Sequence, residues 1–133
     1  GGAELLTAAD HVIAAENAVV GFVHASLGVS PGWGGARRLR DRVGPRRAAL
    51  ILARAQRMSA AEALRWGIVD EVCPEGAAQT VALSLAREIA AHPTAAVHGC
   101  VMAARHPQLE SARFSALWGG AAHRRALGLP ELP

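Results

Sequence analysis

The chain has 133 residues, of which 51% are apolar, so it is about one domain long and can bury a modest core without disulfides or a structural metal. No apolar run reaches the ~20 residues that cross a bilayer, and no basic, apolar secretory signal opens the sequence. We therefore expect a cytoplasmic protein, and not a disordered, secreted or membrane-spanning one. The net charge of +3 favours anionic partners without identifying them.

Residue usage removes several kinds of catalytic group. All 14 basic residues are arginines, and the absence of lysine and tyrosine excludes a Schiff-base lysine and a tyrosine acid. Cys73 and Cys100 do not form a CxxC pair, so we expect two small buried hydrophobic residues. Apart from His24, the histidines are His11, His92, His98, His106 and His123. We expect no metal site, because no two of these five have metal-ligand spacing.

The first part of the chain predicts a short helix, two strands and a loop. Residues 3–9 have high helix propensity, and Gly1-Gly2 forms the turn that leads into them. The apolar runs 11–15 and 18–22 predict short strands or extended segments separated by a turn. Residues 28–35 contain four glycines and a proline, which predicts a loop whose backbone closely approaches another group.

Three helices are predicted in the middle of the chain. Residues 36–43 and 46–55 are separated by a glycine and a proline, which end the first helix and begin the second. A third helix is expected over residues 59–66, because Ser59 and Glu62 match a capping box.

The last part of the chain predicts one strand and then only helices: a strand over residues 68–72 and helical segments over 77–91, 93–104 and 108–127. The elements thus change character near residue 74. We therefore divide the chain into two domains, residues 1–74 and 75–133.

Four sequence blocks occur in a fixed order. They are Gly1-Gly2-Ala3-Glu4-Leu5 with Ala14-Ala15-Glu16-Asn17-Ala18, then Leu27-Gly28-Val29-Ser30-Pro31-Gly32-Trp33-Gly34-Gly35 with Arg38-Leu39, then Val43-Gly44, and then residues 58–72. Together they resemble the C-terminal portion of the crotonase superfamily, the enoyl-CoA hydratase/isomerase family. The resemblance implies an α/β fold in which residues 1–74 are the C-terminal part of a ββα spiral and residues 75–133 form an all-helical trimerisation region.

The resemblance also implies a chemistry. Family members hold an acyl-CoA thioester with its carbonyl oxygen between two backbone amides, which stabilise an enolate-like anion. Gly1 matches one amide, and Glu4 matches the first catalytic carboxylate. The second amide belongs to an N-terminal part of the domain, so we expect a missing segment or a partner chain to supply it. We expect a homotrimer or hexamer that binds neither a membrane nor a cofactor other than the coenzyme A of its substrate.

One position departs from the hydratase pattern. Hydratases carry a second glutamate, in a Pro-Glu pair, where this sequence has Val23-His24. The segments 22–24, 32–35 and 117–120 are most similar to the ethylmalonyl-CoA decarboxylase branch, whose loss of CO2 requires a stabilised enolate and a proton donor but no positioned water. We predict Gly1, Glu4 and His24 as catalytic residues. The predicted substrate-binding residues are Gly2, Phe22, Trp33, Gly34 and Trp118.

Alternatives stay open for individual residues. Glu4 in a first helical turn also suits the helix dipole, and His24 is as consistent with a core histidine as with a catalytic one. Trp33 either walls the acyl pocket or fills the core beneath the loop. Trp66 and Trp118 are interpreted first as packing residues.

Alternatives also stay open for the function. An enoyl-CoA hydratase or isomerase is one, and a non-catalytic or RNA-binding family member is another. The arginine cluster, defined as Arg37, Arg38, Arg40, Arg42, Arg46 and Arg47, is interpreted as a solvated helix face that pairs with Asp41 and with a neighbouring subunit. Contact with coenzyme A phosphates is a second interpretation. Nucleic acid is not favoured, because no aromatic residue interleaves the cluster to stack on bases.

Overall fold

The structure is a computed structural model, and it describes residues 1–130. The chain forms two compact units, Gly1–Ala82 and Leu83–Pro133, which we name the N-terminal unit and the helical unit. The boundary lies inside a helix, Ala78–Ala90, whereas the sequence analysis divides the chain at residue 74, just after the last strand. The last three residues of the predicted domain 75–133 lie outside the described residues.

The N-terminal unit alternates short helices and strands. In chain order it contains α1 (Gly2–Leu6), β1 (Ile13–Ala15), β2 (Val19–Gly21), a 3₁₀ helix (Ala25–Leu27), α2 (Gly35–Val43), α3 (Pro45–Arg54), β3 (Arg57–Ser59), α4 (Ala60–Trp66), β4 (Glu71–Cys73) and the start of α5 (Ala78–Ala90). Residues 28–34 form the predicted loop, which we name the glycine loop.

The two predicted N-terminal strands pair with strands far along the chain. β1 pairs with β4 in parallel, with Ala14 opposite Val72. β2 pairs with β3 in antiparallel orientation, with Val20 opposite Met58. The sequence analysis does not predict β3, because its three residues contain a single apolar side chain and therefore show no alternation over the usual length of a strand.

The ends of α4 explain where the last strand begins. The Ser59 hydroxyl accepts a hydrogen bond from the Glu62 N–H at 3.2 Å, which confirms the part of the predicted capping box that Ser59 makes. Gly67 ends the helix with a φ of 76°, and the N–H groups of Ile68 and Val69 both donate to the carbonyl of Ala63. These two residues belong to the helix cap, so the strand begins at Glu71 and not at residue 68 as predicted.

The core of the N-terminal unit is built from residues of its helices, strands and connecting loops. Its members are Ala14, Val20, Phe22, Leu39, Ala48, Ile51, Met58, Ala60, Ala63, Ile68 and Val69. The partly buried Trp66 packs against this cluster, as expected for a packing residue.

The helical unit contains the rest of α5, then α6 (Thr94–Arg105), a 3₁₀ helix (Pro107–Leu109), α7 (Glu110–Leu117) and α8 (Ala121–Ala126). The predicted helical segment 108–127 is interrupted at Gly119 and Gly120, because Gly119 has a φ of 74°. Helices α6 and α7 approach closely at Gly99, where a Cβ would lie 2.8 Å from Leu117 Cδ1. No helix within residues 1–130 is both long and apolar enough to span a membrane.

Candidate active site

The carboxylate of Glu4 is the centre of the candidate site. The residue lies in α1 and is only 3% exposed. Its Oε1 atom accepts hydrogen bonds from His24 Nε2 at 2.9 Å and from the Gly32 N–H at 3.3 Å. Its Oε2 atom accepts from the N–H groups of Trp33 at 2.9 Å and Gly35 at 3.0 Å. Each of the two carboxylate oxygens therefore accepts two hydrogen bonds.

The glycine loop allows the backbone to surround this carboxylate. Gly34 precedes α2 with a φ of 75°, a conformation that side chains other than glycine rarely adopt. A Cβ on Gly35 would lie 2.6 Å from Glu4 Oε2, so only glycine fits there. The N–H groups at the start of a helix have no partner within the helix, and α2 directs the one on Gly35 at the carboxylate.

These contacts keep Glu4 ionised. Burial by itself raises the pKa of a carboxyl group, because it disfavours the charged form. Here the hydrogen bonds from the backbone of Trp33, Gly35 and Gly32 and from His24 outweigh burial and lower the pKa of Glu4 below its ordinary value. Glu4 is therefore an anion at neutral pH.

The charge on Glu4 determines which ring nitrogen of His24 carries a hydrogen. An ionised carboxylate can only accept hydrogen bonds, so His24 Nε2 must carry a hydrogen and donate it to Glu4. The other ring nitrogen, Nδ1, is buried and has no hydrogen-bond partner among the described residues. The side chain of His24 is 15% exposed. The structure thus brings Glu4 and His24, both predicted as catalytic residues, into direct contact, with Nε2 directed at the carboxylate.

A second set of contacts fixes the backbone of Glu4. The hydroxyl of the buried Thr7 donates to the Glu4 carbonyl at 2.7 Å, and Arg38 Nη2 donates to the same carbonyl at 3.0 Å. Arg38 Nε also donates to Thr7 Oγ1 at 3.1 Å. We name this arrangement the Arg38–Thr7 clasp. It holds the end of α1 against α2 and thereby positions the Glu4 side chain.

The clasp corrects the interpretation of the arginine cluster as a single solvated face. On α2, Arg38 and Arg42 point inward with the buried Leu39, at the i, i+4 spacing of one helix face. Arg42 donates to the carbonyls of Ile68 and Ala9 and pairs with Asp70. That spacing is the signal that could have separated these two arginines from the others.

The other arginines of the cluster lie at the surface. Arg37 faces outward and lies 3.7 Å from Asp41, the pairing that the sequence analysis expects. Arg40, Arg46 and Arg47 are exposed. The expectation of a solvated face therefore holds for these four residues only.

Trp33 lies beside Gly1 and not in the core. The residue is 69% exposed, so the alternative in which it fills the core beneath the glycine loop is wrong. A Cβ on Gly1 would lie 2.9 Å from Trp33 Cζ3 and 3.3 Å from Cη2. The six-membered ring of the indole therefore lies directly against the glycine that is predicted to bind the thioester oxygen.

The remaining predicted residues are placed as follows. Phe22 is fully buried in the core, so its side chain offers no surface to a substrate. Gly2 is exposed at the first position of α1, and a Cβ there would meet nothing within 4 Å. Cys73 is buried as expected, whereas Cys100 is exposed and the expectation that it is buried is wrong.

Trp118 belongs to an aromatic cluster in the helical unit. It is 63% exposed and stacks on Phe114, with ring centroids 4.9 Å apart. It also contacts His123 in a tilted arrangement, with ring centroids 4.4 Å apart. His123 Nδ1 accepts a hydrogen bond from the Gly119 N–H at 2.9 Å. The cluster lines an apolar cavity of about 530 Å³ between α6, α7 and α8. Within residues 1–130, no group of three or more His, Cys, Asp or Glu side chains could hold a metal ion.

Comparison with known proteins identifies relatives of the whole chain. The family model for enoyl-CoA hydratase/isomerase matches residues 1–117. The ethylmalonyl-CoA decarboxylase of Rattus norvegicus is 36% identical over 96% of this chain and 46% of its own length. The carnitinyl-CoA dehydratase of Salmonella paratyphi A is 40% identical over 67% of this chain and 34% of its own length.

Solved structures share the fold as well. An enoyl-CoA hydratase from Bacillus anthracis superimposes with a TM-score of 0.90 and 29% identity, over 96% of this chain and 53% of that one. The chain spans about half the length of the relatives it matches. Family model, relatives and fold agree, and the chain belongs to the enoyl-CoA hydratase/isomerase family of the crotonase superfamily.

Proposed function

We propose that this protein acts on an acyl-CoA thioester, and that it is a lyase that decarboxylates a short malonyl-type thioester such as ethylmalonyl-CoA or methylmalonyl-CoA. The observation that carries the proposal is the complete hydrogen bonding of the Glu4 carboxylate by His24 and three backbone N–H groups. A carboxylate that activates water must have a free acceptor site for the proton of that water.

Glu4 has no such site in this geometry. An ionised carboxylate offers about four lone-pair positions, and four donors use them here. Its lowered pKa also makes it a weak base. The position where hydratases carry their second glutamate is His24, which donates a hydrogen to Glu4. This pair is suited to holding a fixed negative charge and is poorly suited to activating water.

A fixed anion suits decarboxylation. In the proposed reaction, the bond between the α-carbon and the substrate carboxylate breaks, and its electron pair enters the thioester as an enolate. CO2 leaves, and a proton from solvent is then added to the α-carbon. The negative charge of Glu4 would repel the substrate carboxylate, and this repulsion ends when neutral CO2 forms. We propose that the Gly1 N–H is one of two donors to the enolate oxygen and that His24 supports the return of the proton.

The relatives support this assignment. Several vertebrate proteins named ethylmalonyl-CoA decarboxylase match 96% of the chain at 34–36% identity. Because the chain spans about half of their length, the activity of the whole protein is a proposal and not a consequence of family membership.

An enoyl-CoA hydratase or isomerase is the second candidate. It is favoured by the similarity to carnitinyl-CoA dehydratase and by the structural match to an enoyl-CoA hydratase. A non-catalytic, RNA-binding role is less well supported. Two members of the arginine cluster, Arg38 and Arg42, use their guanidinium groups within the protein and do not present them to a partner.

We further propose a cytoplasmic homotrimer or hexamer in which the helical unit contributes to assembly. An apolar cavity and several exposed large apolar side chains of the helical unit, such as Phe114 and Leu127, support this proposal, because association would cover them. The proposed chemistry uses coenzyme A only as part of the substrate and requires no resident cofactor.

The experiment measures the turnover of three acyl-CoA thioesters by the purified protein at full natural length. Ethylmalonyl-CoA, methylmalonyl-CoA and crotonyl-CoA are supplied separately, and released CO2 and the acyl-CoA products are measured. Release of CO2 from the first two without hydration of the third supports a decarboxylase. Hydration of crotonyl-CoA without CO2 release would assign the second candidate, and no turnover of any of them would reject both.

A further inference from the structure

Three observations converge on Trp33. Its N–H donates to Glu4 Oε2 at 2.9 Å, so the same carboxylate that organises the candidate site also fixes the backbone of this residue. The residue is 69% exposed and so presents surface that a ligand could contact. Its six-membered ring lies against Gly1, closely enough that a Cβ there would be 2.9 Å from Cζ3.

We infer that Trp33 determines specificity, by limiting the size of the substituent on the α-carbon of the thioester to about a methyl or ethyl group. The inference rests on the proposed function, because it takes Gly1 as a donor to the thioester oxygen. An oxygen bound by that N–H lies ~2.9 Å from the nitrogen, and the α-carbon is two bonds beyond it. The indole beside Gly1 is therefore within reach of whatever the α-carbon carries.

The anchoring by Glu4 fixes the backbone that carries the indole. An indole on a mobile loop would move aside for a larger substituent. Here, the backbone of Trp33 and both flanking donors, Gly32 and Gly35, are bound to one buried carboxylate. The loop backbone therefore cannot shift to move the ring away from a longer substituent.

The test distinguishes the contribution of the Trp33 indole ring from that of the Trp33 backbone. Trp33→Ala and Trp33→Phe both keep the N–H that binds Glu4 and change only the side chain. Val29→Ala is the matched control, because Val29 lies on the same loop and is also exposed. In the protein at full natural length, kcat/KM is measured with methylmalonyl-, ethylmalonyl- and butylmalonyl-CoA.

We expect Trp33→Ala to raise the ratio of kcat/KM for butylmalonyl-CoA to that for methylmalonyl-CoA about 10-fold or more, with a smaller rise for Trp33→Phe. Val29→Ala should leave the ratio as in the unsubstituted protein. A ratio in Trp33→Ala within about twofold of the unsubstituted one, whatever the loss of rate, would overturn the inference. If Trp33→Ala does not fold, as judged by thermal unfolding, the ratio in Trp33→Phe decides the question.

A binding measurement distinguishes failure of the inference from failure of the proposed function. Butyryl-CoA carries no carboxylate to lose, and it is titrated against tryptophan fluorescence in the unsubstituted protein and in Trp33→Phe. Butyryl-CoA is compared with free coenzyme A, because only the former carries an acyl group. If butyryl-CoA quenches the fluorescence more than free coenzyme A does, and if Trp33→Phe abolishes this difference, the result supports Trp33 as a wall of the acyl site even without turnover. Turnover with equal quenching in both proteins would reject Trp33 and leave the decarboxylase assignment intact.

Discussion

His24 Nε2 donates to Glu4 Oε1 across 2.9 Å, although the two residues are separated by twenty positions in the chain. The contact joins α1 to the segment that follows β2, and it places a hydrogen between the ring and an ionised carboxylate. His24 therefore completes the hydrogen bonding of Glu4. It is also the residue that we propose to support the return of the proton. These two roles are separable by substitution.

The first prediction distinguishes the two roles of His24. His24→Gln can still donate an N–H to Glu4 but cannot carry a proton to the α-carbon, whereas His24→Ala does neither. If His24 returns the proton, both variants lose decarboxylase activity, by about 10²-fold. If His24 acts by positioning Glu4, His24→Gln retains most of the activity that His24→Ala loses. Full activity in His24→Ala would remove the residue from the mechanism.

His24→Glu extends the same prediction to hydration. The substitution restores the paired carboxylates of hydratases and should raise any turnover of crotonyl-CoA, measured by its loss of absorbance. Two carboxylates at hydrogen-bond distance cannot both ionise easily, so one of them becomes a stronger base than Glu4 is now. Unchanged crotonyl-CoA turnover in a folded variant would contradict this expectation.

The second prediction concerns the dependence of stability on pH. The folded-state pKa of Glu4 is lowered, so the unfolded chain binds this proton more readily than the folded one. The resulting stabilisation is fully present above the ordinary glutamate pKa of ~4.3 and is lost as pH falls through the lower, folded-state value. Unfolding midpoints measured from pH ~6 to ~3 should fall less steeply in Glu4→Gln. Glu75→Gln, at an exposed position, controls for the loss of one charge.

The third prediction tests the Arg38–Thr7 clasp. Arg38→Ala removes two charge-assisted hydrogen bonds to partly buried acceptors and should lower the free energy of unfolding by about 1–3 kcal/mol. Arg37→Ala, one residue away on the same helix, breaks only an exposed pair with Asp41 and should cost ~0–1 kcal/mol. Denaturant unfolding of both variants measures the difference. Equal losses would show that the clasp contributes nothing specific.

The fourth prediction concerns the glycine beneath the carboxylate. Gly35→Ala would bring a methyl group to 2.6 Å from Glu4 Oε2, so it should displace Glu4, lower the unfolding midpoint and abolish turnover. Gly32→Ala is the matched control for stability, because it keeps its N–H and its added methyl meets nothing within 4 Å. A Gly35→Ala protein that unfolds at the same temperature as Gly32→Ala would contradict the placement of Glu4.

The sequence by itself determined most local structure of this protein. Glycine and proline positions set the end of α2 and the start of α3, and Ser59 and Glu62 set the start of α4, because these signals act within a few residues of one another. The same local logic predicted a close backbone approach in the glycine loop. The ordered motifs were sufficient to recognise the family.

Only the tertiary structure decided which strands pair and which side chains contact one another. The partners of β1 and β2 and the existence of β3 depend on pairing between residues about forty to sixty positions apart, which local patterns do not encode. Burial separated Phe22, a core residue, from Trp33, an exposed one, although both are large and apolar. The four donors to Glu4 come from two separate segments, and only their meeting in space turns a glutamate in a first helical turn into a fixed, buried anion.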